Sequence, residues 1–98
     1  MFYKVVIRKK VYSDIDELVE YIYRFSFSKQ ISNKIYDELY KKIFSLNFMP
    51  EMYQEYLGEY RRIIVKWSYK IIYKIEEENK KVIIIRVIRT ERTNFNLS

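Results

Sequence analysis

Residues 60–87, with the sequence YRRIIVKWSYKIIYKIEEENKKVIIIRV, decide the fold of this chain. They contain three runs, RRIIVKW, YKIIYKI and KVIIIRV, which are rich in the Ile, Val, Tyr and Trp side chains that suit a pleated, half-buried strand. The acidic run EEENKK between the second and third runs is typical of a turn. This stretch therefore predicts a three-stranded antiparallel meander.

Two segments before the meander have the periodicity of amphipathic helices. Ser13 is an expected N-cap for residues 13–25, with Asp16 three residues later, and Ser28 is an expected N-cap for residues 28–46. The short joint SFS between the segments predicts an antiparallel helical hairpin. The expected buried stripes are Ile15, Leu18, Val19, Ile22 and Phe25 in the first helix, and Ile31, Ile35, Leu39, Ile43 and Leu46 in the second.

The remaining segments complete the predicted order. The opening run FYKVVIR, residues 2–8, predicts another strand, and MPEMYQEYLGEY, residues 49–60, holds the only proline and the only glycine and is the single predicted loop. The fold is then α+β in the order β-α-α-β-β-β, an antiparallel sheet with the helical hairpin packed on one face. We expect residues 1–98 to form one domain without a linker.

A sheet covered by helices on one side has an open side, and alternation along the strands predicts what it carries. Because successive side chains point to opposite faces, Tyr69, Ile71, Tyr73 and Ile75 are expected to face the helices. The side chains expected on the open face are those of Lys4, Arg8, Arg62, Ile64, Lys66, Lys70, Ile72, Lys74, Glu76, Ile84, Arg86 and Ile88. The prediction is a basic, partly apolar surface.

The composition limits the chemistry that this surface can perform. Nineteen Lys and Arg residues against thirteen Asp and Glu residues give a net charge of +6, which attracts an anionic partner such as nucleic acid, an acidic protein or an anionic membrane. There is no Cys and no His, so we expect no disulfide, no metal site and no cofactor. No apolar run approaches the roughly 20 residues of a membrane span, and we expect a cytosolic protein.

The order of elements, the segment YRRIIVKWSYKIIYKI, the acidic turn and the run VIIIRVIRTER resemble the RelE/ParE superfamily of small bacterial toxins, which includes the plasmid stabilisation proteins. The resemblance covers nearly the whole chain. It implies a toxin of a type II toxin–antitoxin module that is neutralised by a cognate antitoxin. It also implies one of two targets. RelE-like members cleave messenger RNA in the ribosomal A site, whereas ParE-like members bind DNA gyrase without known hydrolytic activity.

The same resemblance indicates the site residues. The expected catalytic cations are Arg62, Lys66 and Arg92, because Arg and Lys stabilise the charge that develops on a phosphate. The residues expected to bind RNA or another target are Lys70, Arg86, Arg89 and Phe95.

The expected site has few groups that can transfer a proton. Glu91 and Arg92 match a Glu-Arg pair of RelE-like tails, but Phe95 or Asn96 stands where those tails carry a Tyr. Neither replacement supplies a proton donor for the leaving oxygen.

Three functions therefore remain open at the level of the sequence. The first is a ribosome-dependent endoribonuclease, and the second is a toxin that poisons gyrase by surface contact. The third is a basic domain that binds nucleic acid or protein outside any toxin pair, for which steep salt dependence of binding would be the sign.

Overall fold

The fold is a five-stranded sheet with two helices on one face. A computed structural model of the chain describes residues 2–65 and 68–90. The elements, in chain order, are β1 (Lys4–Ile7), α1 (Lys9–Ser26), α2 (Lys29–Ser45), a 3-10 turn (Pro50–Met52), β2 (Gln54–Tyr56), β3 (Tyr60–Val65), β4 (Tyr69–Glu76) and β5 (Lys81–Arg89).

The strands lie in the order β1-β5-β4-β3-β2. β2 with β3, β3 with β4, and β4 with β5 are antiparallel pairs, which confirms the predicted meander. β1 pairs with β5 in parallel, from Lys4 opposite Lys81 to Ile7 opposite Ile84. The first strand of the chain therefore borders the last described strand. The α+β class with a helical hairpin on one face is confirmed.

The predicted loop contains a strand that the sequence pattern did not indicate. Gln54 pairs with Arg62 and Tyr56 with Tyr60, so β2 adds one strand to the predicted order. Gly58 lies in the connecting turn with φ of 80°, a backbone conformation that glycine adopts without steric cost. At three residues, β2 is too short to produce a readable alternation.

The first helix begins earlier than predicted. Arg8 is in an extended conformation and α1 starts at Lys9, whereas the Ser13 hydroxyl donates to the carbonyl of Lys10 within the helix. The predicted Ser13 cap is therefore wrong. The second cap is confirmed, because the Ser28 hydroxyl accepts the backbone N–H of Ile31 at 3.2 Å.

The main core lies between the helices and the sheet. Two members of the predicted stripes are outside it, since Phe25 is 72% exposed and Ile31 is 49% exposed. Val11 is buried in their place at the start of α1. The buried residues of the main core are Tyr3, Val11, Ile15, Leu18, Leu39, Ile43, Leu46, Ile63, Tyr69, Ile71, Tyr73, Val82, Ile84 and Val87.

A smaller apolar cluster lies on the opposite face of the sheet. Ile72, Ile85 and Ile88 are buried there, with Tyr56, Tyr60 and Ile83 packed against them. For β4 the alternation is as predicted, with Tyr69, Ile71 and Tyr73 in the main core and Ile72 in the smaller cluster.

A β-bulge in β5 breaks the alternation predicted for the last strand. Ile72 lies opposite Arg86, but its neighbour Tyr73 lies opposite Ile84, so Ile85 is an extra residue in β5. Ile84 consequently belongs to the main core and Ile88 to the smaller cluster. The predicted common face for Ile84, Arg86 and Ile88 is therefore wrong.

Neither helix within residues 2–65 and 68–90 combines the length and the apolar character that a membrane span requires.

Candidate target-binding surface

Arg62 on β3 is held in place by the short strand β2. Its guanidinium carbon lies 4.6 Å from the centroid of the Tyr56 ring, and its Nε donates to the Gln54 side-chain oxygen at 3.2 Å. Gln54 is also the residue opposite Arg62 in the strand pairing. A cation over an aromatic face is attracted by the ring quadrupole, and the added hydrogen bond fixes the plane of the guanidinium. The strand missed by the sequence pattern thus orients a predicted site residue.

Lys70 on β4 shares this face with Arg62. Arg62 lies opposite Ile72, and Lys70 precedes Ile72 by two residues, so the two cations are diagonal neighbours on adjacent strands. Lys70 also lies opposite Ile88, a member of the smaller apolar cluster. The two cations therefore border an apolar floor, as predicted for the open face.

Arg86 is not on the open face. Its guanidinium donates to Asp14 of α1, from Nε to Oδ2 at 2.8 Å and from NH2 to Oδ1 at 3.0 Å. The two side chains are 7% and 3% exposed, so the pair is buried. Arg86 therefore links α1 to β5 in this structure, and the prediction that it projects towards a target from the open face is wrong.

The end of β1 explains why Asp14 meets β5. β1 stops opposite Ile84, and beyond that residue no strand formed by residues 2–65 or 68–90 lies beside this edge of β5. Asp14 Oδ2 accepts the backbone N–H of Val87 at 3.1 Å, so the carboxylate takes the place of a strand carbonyl. Asp14 lies within the stripe formed by Val11, Ile15 and Leu18. The sequence did carry one signal for this contact, namely an acidic residue at a core position of a helix.

Arg89, the last residue of β5, lies on the helix side of the sheet. It is opposite Tyr69, a core residue, and its guanidinium carbon is 4.0 Å from the centroid of the Tyr21 ring on α1. A groove of about 250 Å³ runs between α1 and the end of β5 at this point. Its lining includes Glu17, Glu20 and Arg24 as well as Arg89. Arg89 is therefore separated from Arg62 and Lys70 by the sheet.

Three predicted site residues, Lys66, Arg92 and Phe95, lie outside the described residues.

The tyrosines with shifted pKa values are poor candidates for a general base. Burial raises the pKa of Tyr73, whose hydroxyl donates to the Pro50 carbonyl at 2.5 Å. Burial, with a hydrogen bond involving Tyr36, raises the pKa of Tyr40 to about 12, and burial also raises the pKa of Tyr69. These shifts move the phenols further from neutral pH, and Tyr69 and Tyr73 belong to the main core. On the open face, the charges of Arg62 and Lys70 are suited to hold an anion.

Comparison with known proteins places this arrangement in a family. A family model described as the ParE toxin of the type II toxin–antitoxin system parDE matches residues 5–94. No curated protein sequence matches the chain.

Three solved structures illustrate the similarity of fold. The chromosomal ParDE system from P. aeruginosa is 14% identical, with 92% of this chain and 98% of that chain covered and a TM-score of 0.75. The RelBE2 toxin–antitoxin complex from Mycobacterium tuberculosis is 18% identical, with 91% of this chain and 92% of that chain covered and a TM-score of 0.65. The isolated E. coli RelE toxin is 16% identical, with 94% and 88% covered and a TM-score of 0.63. At these identities the likeness is one of fold, and the match of the family model over residues 5–94 carries the assignment: the chain belongs to the ParE toxin family of type II toxin–antitoxin systems, within the RelE/ParE superfamily.

Proposed function

We propose that this chain is the growth-inhibiting toxin of a type II toxin–antitoxin module, that a cognate antitoxin neutralises it, and that it acts in the cytoplasm by binding DNA gyrase. The match to the ParE toxin model over residues 5–94 carries this proposal, because ParE-like members bind gyrase. The geometry is compatible with a binding function, since Arg62 and Lys70 border an apolar floor.

The proposed contact surface is centred on Arg62 and Lys70. Lys66, Arg92 and Phe95 are proposed to extend it on the strength of the sequence alone. Arg89 lies on the helix side of the sheet, so it is proposed as a separate contact and not as part of this surface. Arg86 is left out because its guanidinium is occupied by the buried Asp14.

A second candidate is ribosome-dependent cleavage of messenger RNA. The observation in its favour is the combination of the oriented Arg62 with the rings of Tyr56 and Tyr60 on the same face. Cations hold phosphates and aromatic rings stack on bases, so such a surface also suits single-stranded RNA.

Induced expression tests both the toxin and the target. We expect growth arrest, relief of the arrest when the antitoxin is co-expressed, and loss of supercoiling by purified gyrase when the toxin is added. Codon-phased cuts in messenger RNA, with gyrase activity unaffected, would indicate that the target is the ribosome and not gyrase. Normal growth at a verified high level of the protein would contradict a toxin of either kind.

A pair of substitutions tests the contact surface. Arg62→Ala removes a charged contact that is oriented by Tyr56 and Gln54, and we expect it to weaken inhibition of gyrase by about tenfold or more. Lys10→Ala is the matched control, because it removes one positive charge from an exposed position of α1. Equal inhibition by the two variants would exclude Arg62 from the surface.

A further inference from the structure

The outer side of α2 carries a row of three aromatic rings, of which the first and the last are exposed and the middle one, Tyr40, packs against the main core. Tyr36, Tyr40 and Phe44 follow one another at a spacing of four residues, with ring centroids 4.9 Å and 6.4 Å apart. Tyr36 is 42% exposed and Phe44 is 52% exposed. We call these three residues the aromatic ridge. A shallow groove of about 630 Å³ follows the ridge and is also lined by Asp37 and Lys41.

More aromatic surface lies beyond the end of α2. Phe48 and Phe2 are 49% and 69% exposed, and their ring centroids are 5.6 Å apart. At roughly 200 Å² for each side chain, the exposed rings of Tyr36, Phe44, Phe48 and Phe2 together present roughly 400 Å².

The charges beside the ridge indicate what covers it. Asp37 and Lys41 are four residues apart, so they lie on one flank of α2, while Tyr36 and Tyr40 lie on the other. Within residues 2–65 and 68–90, neither Asp37 nor Lys41 forms an ion pair. When two copies of α2 lie antiparallel, the acidic residue on this flank of each copy faces the basic residue of the other. The charges of the groove are therefore complementary to those of a second copy.

We propose that the aromatic ridge is a homodimer interface in which α2 packs antiparallel against α2 of a second copy about a two-fold axis. In such a pairing, a residue meets the residue on the same flank at the mirrored height of the other helix. With the axis at the height of residue 39, Asp37 meets Lys41 of the second copy and Lys41 meets Asp37 of the second copy, while Tyr36 lies level with residue 42 of the second copy. Both ion pairs form by symmetry, without a partner of different sequence.

The size of the interface fits a reversible dimer. The exposed parts of Tyr36 and Phe44 supply roughly 190 Å² of the roughly 800 Å² per partner that a stable interface buries, so the dimer is expected to be weak. The interface does not involve Arg62 or Lys70, which lie on the other face of the sheet. The dimer would therefore carry two target-binding surfaces, and binding at one would raise the effective concentration of the other near a target with two sites.

Charge reversal tests the pairing on the purified full chain. Sedimentation equilibrium over the micromolar range is expected to show a mass rising from 12.3 kDa towards twice that value. Asp37→Lys and Lys41→Glu each place like charges opposite one another twice, so each variant alone is expected to dimerise at least about tenfold more weakly. An equimolar mixture of the two variants places opposite charges together again, and native mass spectrometry is expected to show the mixed dimer.

Two further variants complete the design. Lys74→Glu carries the same change of charge as Lys41→Glu but on the sheet face away from α2, and it is expected to dimerise like the wild type. Phe44→Glu puts a charge into the ridge and is expected to stay monomeric in every mixture. Circular dichroism spectra that match the wild type establish that each variant is folded.

Several results would overturn the proposal. A monomer throughout the micromolar range would do so, as would a dimer that survives Phe44→Glu. Failure of the charge-reversed variants to form a mixed dimer would rule out the antiparallel pairing. A monomer whose α2 becomes protected from hydrogen exchange only on addition of antitoxin would assign the ridge to the antitoxin. Growth arrest is measured separately, so none of these results bears on the toxin activity itself.

Discussion

Removing the carboxylate of Asp14 is expected to destabilise the fold severely. The side chain accepts two hydrogen bonds from the Arg86 guanidinium and one from the Val87 backbone, and it is 3% exposed. Asp14→Ala leaves a buried guanidinium without its counter-ion and a buried N–H without its acceptor. Breaking a buried pair on one side costs about 3–5 kcal/mol, which is a large part of the roughly 5–15 kcal/mol that holds a domain folded.

Urea unfolding monitored by circular dichroism measures this cost. With a urea dependence of about 1–2 kcal/mol per molar for a small domain, the midpoint is expected to fall by about 2 M or more. Glu20→Ala is the matched control, because it removes a carboxylate from the same helix. Its salt bridge with Arg24 has side chains that are 62% and 73% exposed, so the expected cost is below about 0.5 kcal/mol.

A double substitution separates the lost charge pair from the lost packing. Asp14→Leu with Arg86→Met replaces the ion pair by apolar groups, and such replacements restore much of the stability lost by breaking the pair. The Val87 N–H remains without its acceptor, so a deficit of about 1–3 kcal/mol should persist. A loss below about 1 kcal/mol for Asp14→Ala would refute this account, since it would mean that Arg86 reaches water once its partner is removed.

Three further outcomes are expected. Tyr73→Phe removes the donor to the buried Pro50 carbonyl and should cost about 1–3 kcal/mol in urea unfolding, and a cost near zero would contradict the buried hydrogen bond. Ile71→Ala should cost about 2–5 kcal/mol because the side chain is fully buried, whereas Ile64→Ala, at a position that is 46% exposed, should cost below about 1 kcal/mol. Hydrogen bonds, from the Lys80 amine first, lower the pKa of Glu77 below its ordinary value of 4.5, so this carboxylate stabilises the fold above that pH and the effect is lost as the pH falls through the lowered pKa. The difference in Tm between the wild type and Glu77→Gln should therefore shrink on acidification, and a constant difference would contradict the contribution of the carboxylate.

The sequence predicted those parts of the fold in which the repeat of apolar residues runs undisturbed. β4 alternates cleanly from Tyr69 to Ile75, and its inward residues were identified correctly. Ser28 was identified as a cap from its position just before the apolar repeat of α2, and its hydroxyl accepts the Ile31 N–H. Arg62 and Lys70 were placed on the open face for the same reason of alternation.

The failures occur where a long-range contact overrides a local pattern. The run from Val82 to Ile85 holds no polar residue, so nothing marks Ile85 as the bulged position that shifts Arg86. Asp14 was not among the predicted site or core residues, and its two donors are more than 70 positions away in the chain. Periodicity relates residues that are close in the sequence, so it cannot predict hydrogen bonds between residues this far apart.

The pairing of β1 with β5 has a consequence for synthesis of the protein. β1 leaves the ribosome first, yet the strand that lies between it and β4 is the last of the described strands to emerge. A nascent chain that ends before residue 82 lacks Val82, Ile84 and Val87, and its first strand has no neighbour in the sheet. Contacts so distant in the chain form late and slowly. The sheet is therefore complete only after β5 has been translated, and a message broken within the codons of β5 yields a chain that cannot complete its sheet.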